Sequence, residues 1–231
     1  MISLTIPEPW EFNEDVAGVF DSHVRQSVPS YDSRFSLFKE IFCRWRTGPV
    51  RVLDIGTGTG AVLNLLETVL NKDDYFIGID NSAAMLSIAK QQVRDTIAHE
   101  FILDDIVSAE IPTWDVCFLA YTLSFIRAEE RISLLSRIRS ASASRSLFFF
   151  ADKVKYEYPS IVDAIRGRHL LFKYSQGIKA ADAEAKTRSL QSVMAPWVLQ
   201  EYIDAIESAG WKDPQIIQAD TAFFGIVVFV N

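Results

Sequence analysis

Residues that would staple or metallate a fold are scarce in this chain. Among 231 residues only Cys43 and Cys117 are cysteines, and they form no C-x-x-C pair. This excludes a disulfide framework and a cysteine zinc site, and leaves two buried free thiols in a reducing compartment as the expectation. Basic charge is in deficit, with 23 Lys and Arg against 30 Asp and Glu, a formal net charge of -7. Broad binding to nucleic-acid phosphates is therefore disfavoured, although a local basic patch is still allowed. Long hydrophobic runs are missing too. The run "AFFGIVVFV" near the end is too short to cross a bilayer as a helix. The start, "MISLTIPEPWEFNED", has neither a basic n-region nor an apolar core. No signal peptide, no membrane association and a cytoplasmic location are expected. Repeats, low-complexity linkers and any Ser/His/Asp or Cys/His arrangement are also absent.

Hydrophobic residues make up 49% of the chain, enough for a substantial core, and 23% charged residues argue against disorder. The length fits one α/β domain with a decoration. Short apolar, β-branched runs lie at 50–55, 75–80, 100–103, 114–121 and 146–151. Stretches of helical period separate them at 60–71, 82–98 and 127–141, with "SASASRS" (140–146) as a polar loop. Alternating strands and helices predict βαβ crossovers and a parallel sheet covered on both faces. The ends read differently. Residues 10–46 predict two helices broken at Pro29, and 156–192 a polar, largely helical segment with a turn at "YSQG". Residues 195–211 predict an amphipathic helix stopped at Gly210, followed by an antiparallel strand pair, "PQIIQAD" and "AFFGIVVFV".

The densest signal is "RVLDIGTGTGAVLNLLETVL" (51–70), where Gly56, Gly58 and Gly60 alternate between a strand and a helix. Without Cβ a ligand can approach the backbone, and positive φ carries no penalty. A tight turn alone would explain such a bend. Asp80 lies 24 residues after Gly56 at the end of the second strand, where a carboxylate can accept from both ribose hydroxyls of an adenosine ligand. Asp80, Asn81 or Ser82 can also cap the next helix. Asp104 and Asp105 follow the third strand at the same sheet edge. The spacing is G-x-G-x-G, not G-x-G-x-x-G, and Asp54 stands two positions before the first glycine. A pyrophosphate disfavours that carboxylate. A cationic aminoacyl sulfonium suits it, which points to S-adenosylmethionine over NAD.

"VLDIGTGTG", "GIDNSAAML" and "LDDI" resemble the three cofactor motifs of class I S-adenosylmethionine-dependent methyltransferases. The resemblance implies a Rossmann-like α/β fold: a seven-stranded, mostly parallel sheet with an antiparallel last strand, plus N-terminal helices and a helical lid. Outside the motifs, "PWEFNEDVAGVFDSHVRQSVPSYD", "IDNSAAM" and "KTRSLQSVM" are similar to carboxy-S-adenosylmethionine synthases. Those enzymes make a carboxylated sulfonium from S-adenosylmethionine and prephenate. The likeness spans most of the chain and is patchy between 156 and 185. It implies that Tyr31 contacts the methionine part of the cofactor and that Gly56, Thr57 and Gly58 line it. Asp80 would hold the ribose with Asn81 beside it, Asp105 would accept from the adenine amine, and Ile106 would flank the ring. Asp54 and Gly60 complete the expected cofactor set. Arg188 would match the arginine that grips the extra carboxylate. The family's fourth-strand asparagine is replaced by Ala120. A homodimer is implied by the resemblance alone. The expected organisation is a single domain over 1–231, with a helical cover (1–46) and a helical lid (156–192) inside it.

Tyr121 ends the fourth strand, where an acceptor should sit, and is either a catalytic candidate or a core aromatic. His169, in the basic lid, resembles a family histidine and is the other candidate. His23 reads as structural and His99 as solvated. The basic stretch 166–188 is either a solvated face or an attractor for an anionic substrate. Arg188 either pairs with Glu184 on the surface or reaches a carboxylate. Three functions follow: a methyltransferase acting on a small anionic molecule, a carboxy-S-adenosylmethionine synthase, and a non-catalytic cofactor-binding module. All use S-adenosylmethionine or its carboxylated derivative, with no metal and no direct nucleic-acid binding.

Overall fold

A computed structural model describes residues 6–93 and 97–230. The strands are β1 (Arg51–Ile55), β2 (Tyr75–Asp80), β3 (Ala98–Leu103), β4 (Trp114–Ala120), β5 (Ser142–Lys153), β6 (Gln215–Asp220) and β7 (Phe223–Val230). They form one seven-stranded sheet in the order β3-β2-β1-β4-β5-β7-β6. Neighbours from β3 to β5 pair in parallel, and β7 runs antiparallel between β5 and β6. This is the sheet that the resemblance implied. The order reverses at β1 and β4, so a crevice opens at their carboxyl ends.

The crossover helices are α4 (Ala61–Leu66), α5 (Ala83–Gln92), α6 (Ala128–Ser140) and α9 (Leu199–Ser208). Alternate strand residues face opposite layers. Leu53, Ile77, Cys117 and Phe148 pack with α6 and α9, whereas Val52, Phe76, Val116 and Phe149 pack with α4 and the N-terminal helix α3 (Tyr31–Trp45). Burial on both faces is why these strands read as continuous apolar runs. Phe35, Phe38 and Phe42 form the inward stripe of α3. That stripe leaves Cys43 exposed, contrary to expectation, while Cys117 is buried.

Several boundaries differ from the sequence reading. The N-terminal cover has three described helices, α1 (Glu14–Ala17), α2 (Phe20–Ser27) and α3. Asn13 caps α1 by accepting from Val16 N–H at 3.1 Å. The break at Pro29 is present, with Ser30 at φ +57°. The polar loop at 140–146 is mostly the start of β5, because Ser142 pairs with Trp114 across a register shift. Helix α9 begins only at Leu199, since Trp197 gives its carbonyl to Lys155 N–H at 3.0 Å. Helix α4 ends at Leu66, where Val69 and Leu70 both donate back to its carbonyl. Residues 94–96 of the predicted helix 82–98, and 1–5 of the cover, lie outside the described residues. The lid is α7 (Pro159–Ser175) and α8 (Ala180–Gln191), joined at Gln176–Gly177. No helix among the described residues is long and apolar enough to cross a membrane.

Candidate functional site

A cavity of about 210 Å³ lies at the carboxyl ends of β1, β2, β3 and β4. The glycine bend forms its floor, with Gly56, Gly58 and Gly60 all at positive φ. Gly58 N–H donates to Asp80 Oδ2 at 2.8 Å, and Ser82 N–H donates to Asp80 Oδ1 at 2.9 Å. Ser82, not Asp80, caps α5, its hydroxyl accepting from Met85 N–H at 3.2 Å. Asp80 is thus held at the cavity edge with lone pairs to spare. Burial pushes its carboxyl up, and the backbone donors pull it back.

Of the ten expected cofactor residues, nine line this cavity. Gly60 does not; it opens α4 at φ +86°, close against Ala89. Asp105 accepts from Val107 N–H at 3.0 Å, which fixes the turn after β3. Tyr31 and Tyr121 stack at 5.6 Å on the opposite wall. A strap of residues 6–13 and α2 roofs the floor through Phe12 and Phe20. The Ser82 hydroxyl donates to Phe12 carbonyl, and the Thr59 hydroxyl donates to Asp21, tying the strap down. The wall contains four aspartates and no lysine or arginine.

Asp54 is fully buried and accepts from the Thr57 hydroxyl at 2.7 Å. Burial pushes its carboxyl up to about 7. A folded value near 7 above an ordinary 3.8 means that folding takes up a proton between them. The stability contributed by Asp54 should therefore fall as pH rises from about 4 to 7 and then level off. The full effect is about 4 kcal/mol. Asp54→Asn should remove this part of the pH dependence, leaving a smaller part of the same sign from Asp152, which burial raises to about 6, and parts of the opposite sign from His23 and His169, which burial lowers to about 3 and about 4. Urea denaturation at pH 5 and pH 8 checks it; an unchanged slope in the variant would refute the assignment.

Sequence reasoning missed Arg34. It is fully buried, and its Nη1 donates to the Tyr121 hydroxyl at 2.6 Å. Its Nε and Nη2 have no hydrogen-bond partner among the described residues. Arginine on the apolar stripe shared with Phe38 was the available signal. Tyr121 lies at φ +59°, and burial raises its phenol to about 12 against the pull of Arg34.

The other candidates lie elsewhere. His169 and Arg188 line a second cleft of about 630 Å³ under the lid, with Lys153, Lys173 and Arg166. Arg188 is exposed there and lines no part of the first cavity. His23 faces the lid side, and burial with nearby Lys186 and Lys173 lowers it to about 3. His99 is half-buried rather than solvated, its Nδ1 2.9 Å from Ile97 carbonyl.

Comparison with known proteins agrees with this fold. Residues 52–144 match the family described as a methyltransferase domain. The carboxy-S-adenosyl-L-methionine synthase of Campylobacter hominis is 30% identical over 216 residues, 92% of this chain and 91% of that protein. The enzyme of the same name from Campylobacter concisus is 31% identical, over 90% of this chain and 88% of that one. Among solved structures, the plantazolicin methyltransferase BpumL, with SAH and a triazolic analogue, aligns at TM-score 0.65 and 16% identity. The alignment covers 94% of this chain and 91% of that one. With the fold, the glycine bend and relatives matched along nearly their whole length, the chain belongs to the carboxy-S-adenosyl-L-methionine synthase branch of the class I S-adenosylmethionine-dependent methyltransferases, and is an S-adenosylmethionine-dependent transferase.

Proposed function

We propose that S-adenosylmethionine occupies the cavity over the glycine bend and that a one-carbon group is exchanged with a small anionic molecule. The acidic cavity wall carries this reading, because it suits a cationic adenosyl ligand and disfavours a pyrophosphate. In this reading Asp80 holds the ribose beside Asn81, Asp105 and Ile106 hold the adenine, and Tyr31 with Gly56, Thr57 and Gly58 holds the methionine part. The bound sulfonium supplies an already activated one-carbon group. The chain's residues need only orient the partner molecule and exclude water, which Phe12, Phe20 and the Tyr31–Tyr121 pair are placed to do. Above pH 7 an ionised Asp54 favours the sulfonium over its neutral thioether product. The cover and lid act as parts of one domain, and Arg188 meets a carboxylate under the lid.

Two outcomes are distinguished by chemistry. Methyl transfer to an anionic acceptor is favoured by Ala120, which leaves the fourth strand without the synthases' amide. Carboxylation of the sulfonium, with prephenate as donor, is favoured by the names of the relatives. Incubation with S-adenosylmethionine, with and without prephenate, followed by mass spectrometry, separates them. A carboxylated sulfonium means synthase; S-adenosylhomocysteine formed with another carboxylate means methyltransferase. Cofactor binding with neither product leaves a binding module. Calorimetry showing no S-adenosylhomocysteine binding at millimolar ligand would overturn the site itself.

A homodimer in the cytoplasm, without direct nucleic-acid contact, completes the proposal. Exposed Ile161, Leu171 and Tyr174 on α7 support a covered lid face. Light scattering giving a monomer at micromolar concentration would remove the dimer.

A further inference from the structure

Helix α2 carries two neighbouring stripes. Phe20 and Val24, four residues apart, face the cofactor cavity. His23 and Ser27, also four apart, face the lid, where His169 Nε2 lies 2.7 Å from Ser27 carbonyl and Lys186 Nζ lies 3.5 Å from Ser27 Oγ. Lys173, one turn beyond His169 on α7, is only 7% exposed. Lys153 ends β5 in the same cleft. Three lysines from β5, α7 and α8 thus surround His169, and Lys186 reaches the end of α2.

The group is poorly compensated, with the Asp152 carboxylate beside Lys153 the attractive charge that acts on it. No ion pair within 4 Å is present for Lys153, Lys173 or Lys186 among the described residues. Glu184 lines the same cleft as Lys153, Lys173, Arg166 and Arg188. Burial lowers all three lysines, Lys173 to about 8; repulsion from neighbouring lysines adds to it for Lys173 and Lys186, and the Asp152 carboxylate opposes it for Lys153. His23 Nε2 is buried without a partner. Lysines are seldom buried unless paired, and a like-charged buried set costs stability. A bound anion would remove that cost. The strap covers this chamber as well: the Trp10 ring lies 4.9 Å from Lys186 Nζ and stacks on His23 at 6.4 Å. Trp10 N–H donates to Ser189 carbonyl at 3.3 Å, and the Ser189 hydroxyl donates to Pro7 carbonyl, which fasten the strap to α8.

We propose that Lys153, Lys173 and Lys186 form a receptor for a compact small-molecule anion, separated from the cofactor cavity by α2 and closed by the same N-terminal strap. It goes beyond the transfer reading above: with α2 standing between this anion and the sulfonium, the anion acts as an effector coupled through the strap and not as the partner in the exchange. Because Phe12 roofs one chamber and Trp10 the other, filling one holds the strap over both. The two ligands therefore bind with positive coupling, equal in both directions.

The test uses the whole chain with malonate and inorganic phosphate as probes, and sodium chloride at matched ionic strength as control. Either probe should bind saturably, change Trp10 fluorescence and raise the melting temperature; chloride should not. Malonate or phosphate acting alone names the anionic group. Lys173→Met should weaken binding about tenfold or more, the loss of a charge-assisted hydrogen bond. It should also melt higher than the parent without anion and bind S-adenosylhomocysteine unchanged. Lys186→Gln gives an independent second variant. Saturating S-adenosylhomocysteine should tighten probe binding. Equal response to all three salts, or unchanged probe binding in both variants, overturns the receptor. S-adenosylhomocysteine binding without probe binding removes the chamber alone, whereas the reverse removes the transfer reading alone.

Discussion

Asp80→Ala should lower the affinity for S-adenosylhomocysteine by about 100-fold or more while changing thermal stability much less. Two hydrogen bonds from ribose hydroxyls to a charged acceptor are worth roughly 1.5–3 kcal/mol each. The carboxylate is oriented for this by Gly58 N–H and Ser82 N–H, so little of that energy is spent on ordering it. The variant leaves α5 capped, since the Ser82 hydroxyl does the capping. The two backbone donors lose an acceptor at the cavity edge, where water can replace it. Calorimetry and thermal unfolding on the same preparation decide the matter. A large fall in melting temperature with unchanged affinity would make Asp80 a brace for the glycine bend and nothing more.

Gly56→Ala should destabilise the chain by about 2–5 kcal/mol, from left-handed backbone and overpacking together. Gly56 sits at φ +71°, and a Cβ there would lie 2.3 Å from Thr122 Oγ1 and 2.7 Å from Thr122 Cγ2. Thr122 cannot easily retreat, because its hydroxyl bonds Ile55 and Ala120 carbonyls at 3.2 Å. Gly56→Ala with Thr122→Ala should recover the overpacking part and leave the backbone part. Urea denaturation of the two variants measures both. A single-variant loss below about 0.5 kcal/mol, the range of ordinary surface changes, would contradict this packing.

The glycine bend, Asp54, Asp80 and Asp105 are legible in the sequence because their positions are set locally. A residue at the end of an apolar run has its place fixed by the strand and turn it belongs to. The identity of the helix cap is not legible among Asp80, Asn81 and Ser82. It depends on which side chain turns back to Met85 N–H. The extent of β5 is missed because Ser142 to Ser146 look like a loop until Trp114 is there to pair with them. Cys43 reads as buried because its neighbours are apolar, but helix rotation spends the inward stripe on Phe35, Phe38 and Phe42.

By itself the sequence determined the alternation of strands and helices, the parallel sheet, the antiparallel pair at the end, and the acidic edge over the glycines. Periodicity and chain order suffice for these, since hydrophobic burial selects which face of each element turns inward. Tertiary structure alone decided that Arg34 meets Tyr121, 87 residues away, and that Lys153, Lys173 and Lys186 gather around His169 beside Ser27. It also separated Arg188 from the cofactor cavity. Such meetings depend on the rotation and approach of whole helices against the sheet. Those are set by the sum of many weak, non-directional contacts, and no short stretch of sequence carries that sum.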